Sequence, residues 1–518
     1  MEKLTITLLP NEHWWGGTVE NGQDMPYNEY SDCKIDQIEQ YSVNQVDPLL
    51  LSDQGRLLYA PNGLRYTFAH GVLTVEGDDL CMKETGGSLR DAFRLFKTEI
   101  CPDEGTMPDL DLIRHPQYNT WIELMHDQRE DKILAYAEDI IQNGMPTGVI
   151  MIDATWQEDY GVWDFHPGRF KNPKGMIDRL HALGFKVMLW VAPFVSPDSL
   201  TYMELSAHDL LLKEANGADA IRHWWDGYSA VLDLTNEKAV DWFKAQLDRL
   251  VKDYGVDGFK FDAGDAMFYR RDDRTAMPTD PNDQCRRYGI FGAQYSLNEY
   301  RACYGLTDKP LVQRLADKEH SWGSNGMAAL IPNSLAQSLT GYRFICPDMI
   351  GGGEYRSFLT DDILDEELFV RYAQCSALLP MMQFSADPFR VLSAKNADLC
   401  RQAAWLHEKN GDKIVALIRR CMANCDPVIA PPCYYDPEAP ADEKNVFMLS
   451  DEFVVAPVVS KGDRSRELYL PEGKWRAWNG EHFVGGQRIC VKAELHDLPY
   501  FERVVDQRKN DRRNGQKS

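Results

Sequence analysis

The sequence predicts an α/β protein, a (β/α)8 TIM barrel flanked by an N-terminal β-sandwich and a C-terminal β-domain. In the middle of the chain, apolar strand-like runs alternate with helix-length amphipathic segments, and about eight such repeats are the pattern of a parallel barrel. On both sides of this region, short β-branched runs are separated by Gly, Asn and Asp turns. Such runs are typical of antiparallel sheets.

The regions on both sides of the predicted barrel have the sequence pattern of β-domains. Residues 1–115 are predicted to form the sandwich, because KLTITLLP, GLRYTFAHG and VLTVEGDD are short runs rich in β-branched residues or alternating in hydrophobicity. Residues 411–505 are predicted to form the C-terminal β-domain, which contains KNVFMLSDEFVVAPVV. The polar tail, 506–518, is predicted to be disordered.

The barrel is predicted over residues 116–410. NTWIELM, GVIMIDAT, FKVMLWVAPF and VDGFKFDAGD read as strands, and segments such as KAVDWFKAQLDRLVKDYG read as the helices between them. Strands with near-continuous Val, Ile, Leu and Phe are buried on both faces, as in parallel sheets. No G-x-G-x-x-G follows the first strand, which counts against a dinucleotide-binding sheet.

Composition and charge count against several classes of binding partner. The formal net charge of −24 argues against nucleic acid and anionic membranes, since both bind clustered Lys and Arg. No stretch is apolar for the roughly 18 residues that a membrane span needs, and the N-terminus does not read as a secretory signal, so we expect a cytoplasmic protein. The 12 cysteines lack paired zinc-ligand spacing, and no metal or cofactor is implied.

Four predicted barrel strands end in aspartate, at Asp153, Asp262, Asp317 and Asp348. Any one of them could be a helix N-cap or a turn residue. Together they indicate a site, because the carboxyl ends of barrel strands meet at one face. Hydrolysis of a glycoside needs two carboxyl groups, and a neutral carbohydrate suits the acidic chain.

The motifs GFKFDAGD, SLNEYRACYG, RLADKEHSWG and ICPDMIGGG, with the stretch LSDEFVVAPVVSKGDRSRELYLPEGKWRAWNGEHFVGG, resemble glycoside hydrolase family 31. They are most similar to the branch of the myogenesis-regulating glycosidase and bacterial α-galactosidases. The resemblance implies a retaining exo-α-glycosidase acting on a terminal α-linked hexose, an α-galactoside first. An α-glucosidase or transglycosylase of this family remains open, as does a non-catalytic glycan-binding barrel.

The resemblance also implies the catalytic residues. Asp262 falls on the family's nucleophile, and Asp317 falls on its acid/base. The family's commoner acid/base string, W-S-G-D-N, is replaced here by ADKEHSW. Glu319 is therefore a rival for the acid/base, and an alignment on Trp322 would select Asn325, which has no carboxyl proton to donate.

Further residues are assigned to substrate binding. The resemblance implies some of them, and the tryptophans are included because their flat apolar faces suit sugar rings. The expected residues are Asp153, Trp156, Trp190, Lys260, Arg301, Arg314 and Asp348. Arg314 could instead act on Asp317. The family's arginine–histidine pair after the last strand appears here as Gln383 and Ser385, which points to the galactosidase-like branch.

Charges near the two catalytic carboxyls lead to further expectations. We expect Lys260 to favour the anion of Asp262 and Glu319 to raise the proton affinity of Asp317. Asp265 is expected to support the site or to cap the next helix. The predicted partner is a small carbohydrate, with no nucleic acid and no membrane, and a homo-oligomer is left open.

Overall fold

The computed structural model describes residues 1–359 and 364–504. Along the chain it contains a β-sandwich, a parallel barrel and a second antiparallel β-domain. The predicted disordered tail, 506–518, lies outside the described residues.

The N-terminal domain consists of two four-stranded antiparallel sheets, in the orders β1-β7-β6-β3 and β2-β4-β5-β8. The strands are β1 (Glu2–Thr7), β2 (Trp14–Thr18), β3 (Cys33–Asp36), β4 (Val46–Ser52), β5 (Arg56–Tyr59), β6 (Leu64–Ala69), β7 (Val72–Gly77) and β8 (Cys81–Glu84). In β6, alternate residues are buried, as expected for a strand with one face on the core. Helix α1 (Leu89–Leu95) follows, starting at a Ser88–Asp91 capping box.

In the residues that the structure describes, eleven strands lie between the sandwich and the C-terminal domain. They are β9 (Gln117–Asn119), β10 (Val149–Ile152), β11 (Lys186–Val191), β12 (Phe194–Val195), β13 (Ile221–Trp224), β14 (Gly227–Val231), β15 (Gly258–Phe261), β16 (Leu297–Tyr300), β17 (Val312–Arg314), β18 (Phe344–Cys346) and β19 (Gln383–Phe384). Eight of them form one sheet in the order β18-β17-β16-β15-β11-β10-β9-β19, and every neighbouring pair in it is parallel. This sheet confirms the predicted barrel. The remaining three, β12 to β14, form a small antiparallel sheet inserted after β11.

The helices after α1 cover the barrel and its loops. They are α2 (Asp111–Arg114), α3 (Trp121–Leu124), α4 (Glu130–Gln142), α5 (Pro173–Ala182), α6 (Leu200–Ala207), α7 (Glu237–Tyr254), α8 (Pro281–Gly292), α9 (Met327–Leu339), α10 (Glu366–Ser376), α11 (Pro388–Val391) and α12 (Ala394–Asn424). Helix α7 illustrates how local residues set the ends of a helix. The Asn236 side chain accepts the Lys238 N–H at the start, and Gly255 ends the helix at φ +83°.

Two details differ from the sequence prediction. NTWIELM is not one strand, because the Asn119 side chain accepts the Trp121 N–H at 2.7 Å and the chain turns into α3. The predicted boundary between residues 410 and 411 falls inside α12, which is continuous to Asn424. The barrel's last helix therefore continues beyond the point where the sequence placed the domain end.

The C-terminal domain is antiparallel. Its strands are β20 (Ile429–Ala430), β21 (Phe447–Leu449), β22 (Phe453–Val455), β23 (Ser465–Leu470), β24 (Lys474–Ala477), β25 (His482–Val484), β26 (Gln487–Lys492) and β27 (Tyr500–Arg503). Six form a sheet in the order β20-β21-β22-β27-β24-β25, and β23 pairs with β26. The barrel holds this domain through the buried Arg371, which donates to the carbonyls of Ala493 and Asp497 at 2.9 Å each.

Candidate active site

A cavity of about 580 Å³ opens at the carboxyl ends of the barrel strands, where a TIM barrel carries its chemistry. Its inner wall is charged and its outer wall is largely apolar. The inner residues are Asp153, Lys260, Asp262, Asp265, Arg301 and Asp317; the outer ones include Val43, Trp121, Trp224, Trp225, Met267, Phe268, Met349 and Tyr355.

Asp262 follows β15 directly and is held on both carboxylate oxygens. Trp190 Nε1 donates to Oδ2 at 3.0 Å, and Arg301 Nε donates to Oδ1 at 3.0 Å. The backbone N–H of Ala263 also donates to Oδ1. Burial raises the pKa of Asp262, but the cations Arg301, Lys260 and Arg314 together lower it well below its usual range. The carboxylate is therefore an anion at neutral pH.

Arg301 holds a second carboxylate at the same time. Its Nη2 donates to both oxygens of Asp265, at 2.8 and 3.0 Å. Burial raises the pKa of Asp265 to about 6 against the lowering effect of Arg301. Of the two sequence expectations for Asp265, support of the site is the one its contacts fit, since its side chain makes no helix-capping bond.

Asp153, which follows β10, and Lys260 of β15 form a buried ion pair across the end of β11, the strand between them. Lys260 Nζ donates to Asp153 Oδ2 at 2.8 Å, and both side chains are almost fully buried. Asp153 also accepts from the backbone N–H of Ala154. Lys260 lowers the pKa of Asp262, as the sequence predicted.

Asp317 is the more open catalytic candidate. It lies three residues past β17, and its side chain is 40% exposed. Arg314 Nη1 donates to its Oδ1 at 2.7 Å. Glu319 was expected to influence Asp317, but its carboxylate accepts from Asn325 instead, at 3.4 Å. The charged partner of Asp317 is therefore Arg314, which lies three residues before it in the chain.

Arg314 is buried and connects three carboxylates. Its Nη1 donates to Asp348 Oδ1 at 2.7 Å as well as to Asp317, and its Nε donates to Glu299 Oε1 at 3.1 Å. Glu299 in turn accepts from Gln117 and Gln383 across the barrel interior. The carboxylates raise the pKa of Arg314 well above its usual value, against the lowering effect of its burial.

Asp348 lies beneath the cavity wall rather than on it. Its Oδ2 accepts the backbone N–H groups of Lys318 and Gly353, and burial raises its pKa to about 6. A side chain at position 353 would crowd this site, because a Cβ atom there would lie 2.6 Å from Met349 Cε, 2.9 Å from Asp348 Oδ1 and 3.0 Å from Asp317 Oδ1. Gly353 of ICPDMIGGG thus leaves room for both carboxylates.

The structure brings together most of the residues that the sequence selected. Asp153, Trp190, Lys260, Asp262, Arg301 and Asp317 all line the cavity. Arg314 and Asp348 lie behind the lining residues, where Arg314 bonds both to Asp348 and to Asp317 of the lining. The prediction that Trp156 binds substrate does not match the structure. Its indole is fully buried and donates to the Trp190 carbonyl at 2.8 Å, so it packs behind the cavity wall and does not face substrate.

The sequence reasoning missed the outer wall. Trp224 and Trp225 come from the inserted hairpin after β11, and Met267 and Phe268 come from the loop after β15. Val43 comes from the sandwich. The run HWWDGY, with two tryptophans beside a turn, was the available signal, whereas nothing in the sequence marks Val43.

No metal site accompanies this arrangement in the part of the chain that the structure describes: no three His, Cys, Asp or Glu side chains there group as ligands. Within residues 1–359 and 364–504, no helix has both the length and the apolar character for a membrane crossing.

Comparison with known families gives two matches. Residues 117–415 match the Glycosyl hydrolases family 31 TIM-barrel domain, and residues 426–504 match the Glycosyl hydrolase family 31 C-terminal domain. The first match alone covers more than half of the chain.

Individual proteins agree with these matches. The chain is 35% identical to the myogenesis-regulating glycosidase of Mus musculus over 76% of its own length and 57% of that protein. It is 25% identical to alpha-glucosidase 2 of Bacillus thermoamyloliquefaciens over 86% of its length and 59% of that protein. The chain thus spans less than two thirds of these curated relatives.

A solved structure shares the fold. The family 31 dextranase of Flavobacterium johnsoniae, complexed with glucose, superimposes with a TM-score of 0.83 at 20% identity, covering 97% of this chain and 66% of that one.

Proposed function

Since this chain belongs to glycoside hydrolase family 31, we propose that it is a retaining exo-α-glycosidase that releases a terminal α-linked hexose, with an α-galactoside as the first substrate candidate. One observation carries the proposal: two carboxyl groups in different electrostatic settings border one cavity. Asp262 is buried among three cations, and Asp317 is partly open to the cavity. Two carboxyl groups whose environments differ in this way take different roles in one reaction.

In the first step, the ionised Asp262 attacks the anomeric carbon and forms a glycosyl ester. The bond from that carbon to the leaving oxygen breaks, and Asp317 gives its proton to this oxygen. Asp317 and Asp348 both accept from Arg314 Nη1, and burial together with the nearby charge of Asp317 raises the pKa of Asp348 to about 6.

In the second step, the ionised Asp317 takes a proton from water, and the water oxygen attacks the anomeric carbon. The ester bond to Asp262 breaks, and the sugar leaves with its original α-configuration. Two displacements on the same carbon retain configuration, and they require a carboxyl separation of about 5–5.5 Å.

The inner wall also supports a neutral hexose as the substrate. The Asp153–Lys260 pair and Arg301 present charged hydrogen-bonding groups beside Asp262, and groups of both signs suit hydroxyls. Trp190 offers an aromatic surface next to the same carboxylate.

The choice of galactose rests on the resemblance to the galactosidase-like branch, to which Gln383 and Ser385 of this chain, in place of the family's arginine and histidine, also point. An α-glucoside is the second candidate, favoured by the name of the Bacillus relative. A transglycosylase would use the same residues, and a sugar acceptor in place of water distinguishes it.

The testing experiment is a panel of 4-nitrophenyl α-glycosides, with the anomeric configuration of the first-formed product read by proton NMR. We expect turnover of the α-galactoside with retention, and loss of turnover in Asp262→Asn. Asp412→Asn, a change at an exposed aspartate on α12, is the matched control. Cleavage of only the α-glucoside would replace galactose by glucose, and an absence of any turnover would leave the glycan-binding alternative.

A further inference from the structure

The outer wall of the cavity differs in chemistry from the inner wall. Trp225 and Met267 are 55% and 50% exposed, and Trp224 and Phe268 lie beside them on the same wall. The Trp225 ring lies 4.9 Å from that of Trp224 and 5.9 Å from that of Phe268. Exposed apolar side chains grouped in this way mark a binding surface.

This aromatic surface is continuous with the catalytic carboxylate. Trp190, which donates to Asp262, stacks on Trp224 at 6.4 Å, and the Arg301 guanidinium lies 5.1 Å from the Trp225 ring. Asp317 lines the same cavity as Trp225, so a leaving group that Asp317 protonates lies in the cavity that the aromatic surface borders.

The exposed tryptophan is also held in place. Trp225 and Asp226 form the two-residue turn between β13 and β14, and Gly227, the first residue of β14, has φ +100°. The Tyr160 hydroxyl donates to the Asp226 carboxylate, and its ring packs edge-on against Trp224 at 4.8 Å. A fixed apolar side chain binds with less loss of conformational freedom than a mobile one.

Resting on the proposed glycosidase activity, we propose that this wall, formed by Trp224, Trp225, Met267 and Phe268, is a leaving-group site for an apolar or aromatic aglycone. Three aromatic side chains and a flexible thioether adapt to varied apolar shapes. The substrate class is thus an α-glycoside of an apolar alcohol.

The test compares methyl, butyl and cyclohexylmethyl α-glycosides of the sugar that the enzyme accepts, because these alcohols have similar acidities and differ in apolar size. We expect kcat/KM to rise by about tenfold or more from methyl to cyclohexylmethyl, as hydrophobic pockets allow. Trp225→Ala should reduce this ratio towards one, and Met267→Ala should reduce it in part.

Leu200→Ala is the control, since Leu200 is exposed on α6 of the same insertion but does not line the cavity; the ratio should persist there. A wild-type ratio near one, or an unchanged ratio in Trp225→Ala, would overturn the aglycone site while the glycosidase activity stands. Lack of turnover of every glycoside would instead overturn the proposed function and this site with it.

A second inference arises from residues 43–45 of the sandwich, just before β4. The Val43 carbonyl accepts from Arg301 Nη1 at 2.8 Å, and the Asn44 side chain accepts the Ala316 N–H at 2.7 Å. Gln45 Nε2 donates to the backbone carbonyls of both Arg301 and Arg314. Gln45 is fully buried.

These contacts reach both halves of the catalytic apparatus. Arg301 holds Asp262, and Arg314 holds Asp317. The Gln45 amide is itself oriented by Gln337 Nε2, which donates to its Oε1 at 2.8 Å. One side chain of the sandwich therefore joins the strand ends that carry the two arginines.

We infer that Gln45 is a positioning residue for the reaction, setting the distance between the nucleophile and the acid/base through the backbones of Arg301 and Arg314. This role rests on the proposed retaining mechanism. It makes the sandwich part of the active site.

The test is Gln45→Met, which keeps the length of the side chain and removes its amide, with Asn44→Ala as a second variant. The dependence of log kcat/KM on leaving-group pKa is measured across aryl α-glycosides. Poor leaving groups need the proton most, so we expect a steeper dependence and an overall loss on the order of tenfold to a hundredfold. The slope reports on catalysis and would not change through a loss of stability alone.

Gln37→Met is the matched control. Gln37 is also a buried glutamine of the sandwich, but its side chain bonds to the backbones of Asp47 and Leu64; it should lower the unfolding midpoint without altering the slope. A wild-type slope in folded Gln45→Met or Asn44→Ala would overturn the positioning role. Inactive wild-type enzyme would overturn the mechanism on which it rests.

Discussion

The Nε of Arg301 donates to Oδ1 of Asp262 at 3.0 Å, while Nη2 of the same guanidinium binds both oxygens of Asp265. One arginine thus joins the nucleophile candidate to a second buried carboxylate. Because Asp262 is buried, it can remain an anion only where cations compensate for the lost hydration. Arg301 supplies the largest part of that compensation.

Replacement of Arg301 should move the acidic limb of the pH profile. Burial raises the pKa of Asp262, and Arg301 opposes it; in Arg301→Gln the pKa should therefore rise. Since the nucleophile must be ionised, kcat/KM should fall at acidic pH more than at pH 7, and the apparent pKa of that limb should increase by about one unit or more. Profiles of kcat/KM from about pH 2 to pH 8, corrected for acid unfolding, measure this shift.

Arg356→Gln serves as the control for that experiment, because Arg356 borders the same cavity but makes no bond to Asp262. An acidic limb that stays in place in Arg301→Gln would contradict the assignment of Arg301.

Loss of the Lys260 charge should destabilise the fold. The pair with Asp153 is almost completely buried, and removal of one partner leaves an uncompensated charge that costs about 3–5 kcal/mol. Lys260→Met should therefore lower the free energy of unfolding in urea by this amount. Asp153→Asn in the same chain should restore part of it, and strictly additive losses would show that the two side chains are not coupled.

The Trp190 N–H should matter for catalysis. Trp190→Phe removes the donor to Asp262 Oδ2, and a hydrogen bond to a charged group contributes about 1.5–3 kcal/mol. We expect kcat/KM to fall by about tenfold to a hundredfold. Trp163→Phe is matched in volume, and the Trp163 N–H has no hydrogen-bond partner among the described residues; equal losses in both variants would contradict a role for this bond.

Asp387 should make stability depend on pH. Burial raises its pKa to about 6 from 3.8, so the folded state binds a proton more tightly than the unfolded state does. Stability should therefore fall as the pH rises from about 4 to 6. In Asp387→Asn this loss should be absent, because Asn remains neutral and can still accept the Phe389 N–H.

Urea unfolding at pH 4.5 and pH 7 measures that difference. Relative to wild type, Asp387→Asn should gain about 2 kcal/mol between the two pH values. An equal pH dependence of the two proteins would show that Asp387 does not titrate in this range.

The barrel and its inner site could be predicted from sequence because both depend on local patterns. Near-continuous apolar runs define strands buried on both faces, and the residues that follow them, Asp153 and Asp262, must lie at the carboxyl edge. The contact between Arg314 and Asp317 is also local, because the two residues are three positions apart in one segment.

The remaining features depend on contacts between distant parts of the chain. Gln45 meets Arg301 and Arg314 only after the sandwich packs on the barrel, and no local pattern encodes that packing. Trp156 and Trp190 are alike in sequence, yet one packs behind the wall and the other borders the cavity. Asp348 ends a strand as Asp262 does, but the loop through Gly353 covers it.

Trapping tests whether Asp262 forms a covalent glycosyl intermediate. The enzyme is treated with a 5-fluoro α-glycosyl fluoride of the accepted sugar, digested, and analysed by tandem mass spectrometry. We predict a mass increase of one fluorosugar on Asp262, and the same label in Asp317→Ala, because fluoride leaves without a proton. A label on another residue, or turnover with inverted configuration and no adduct, would show that Asp262 is not the nucleophile of a retaining reaction.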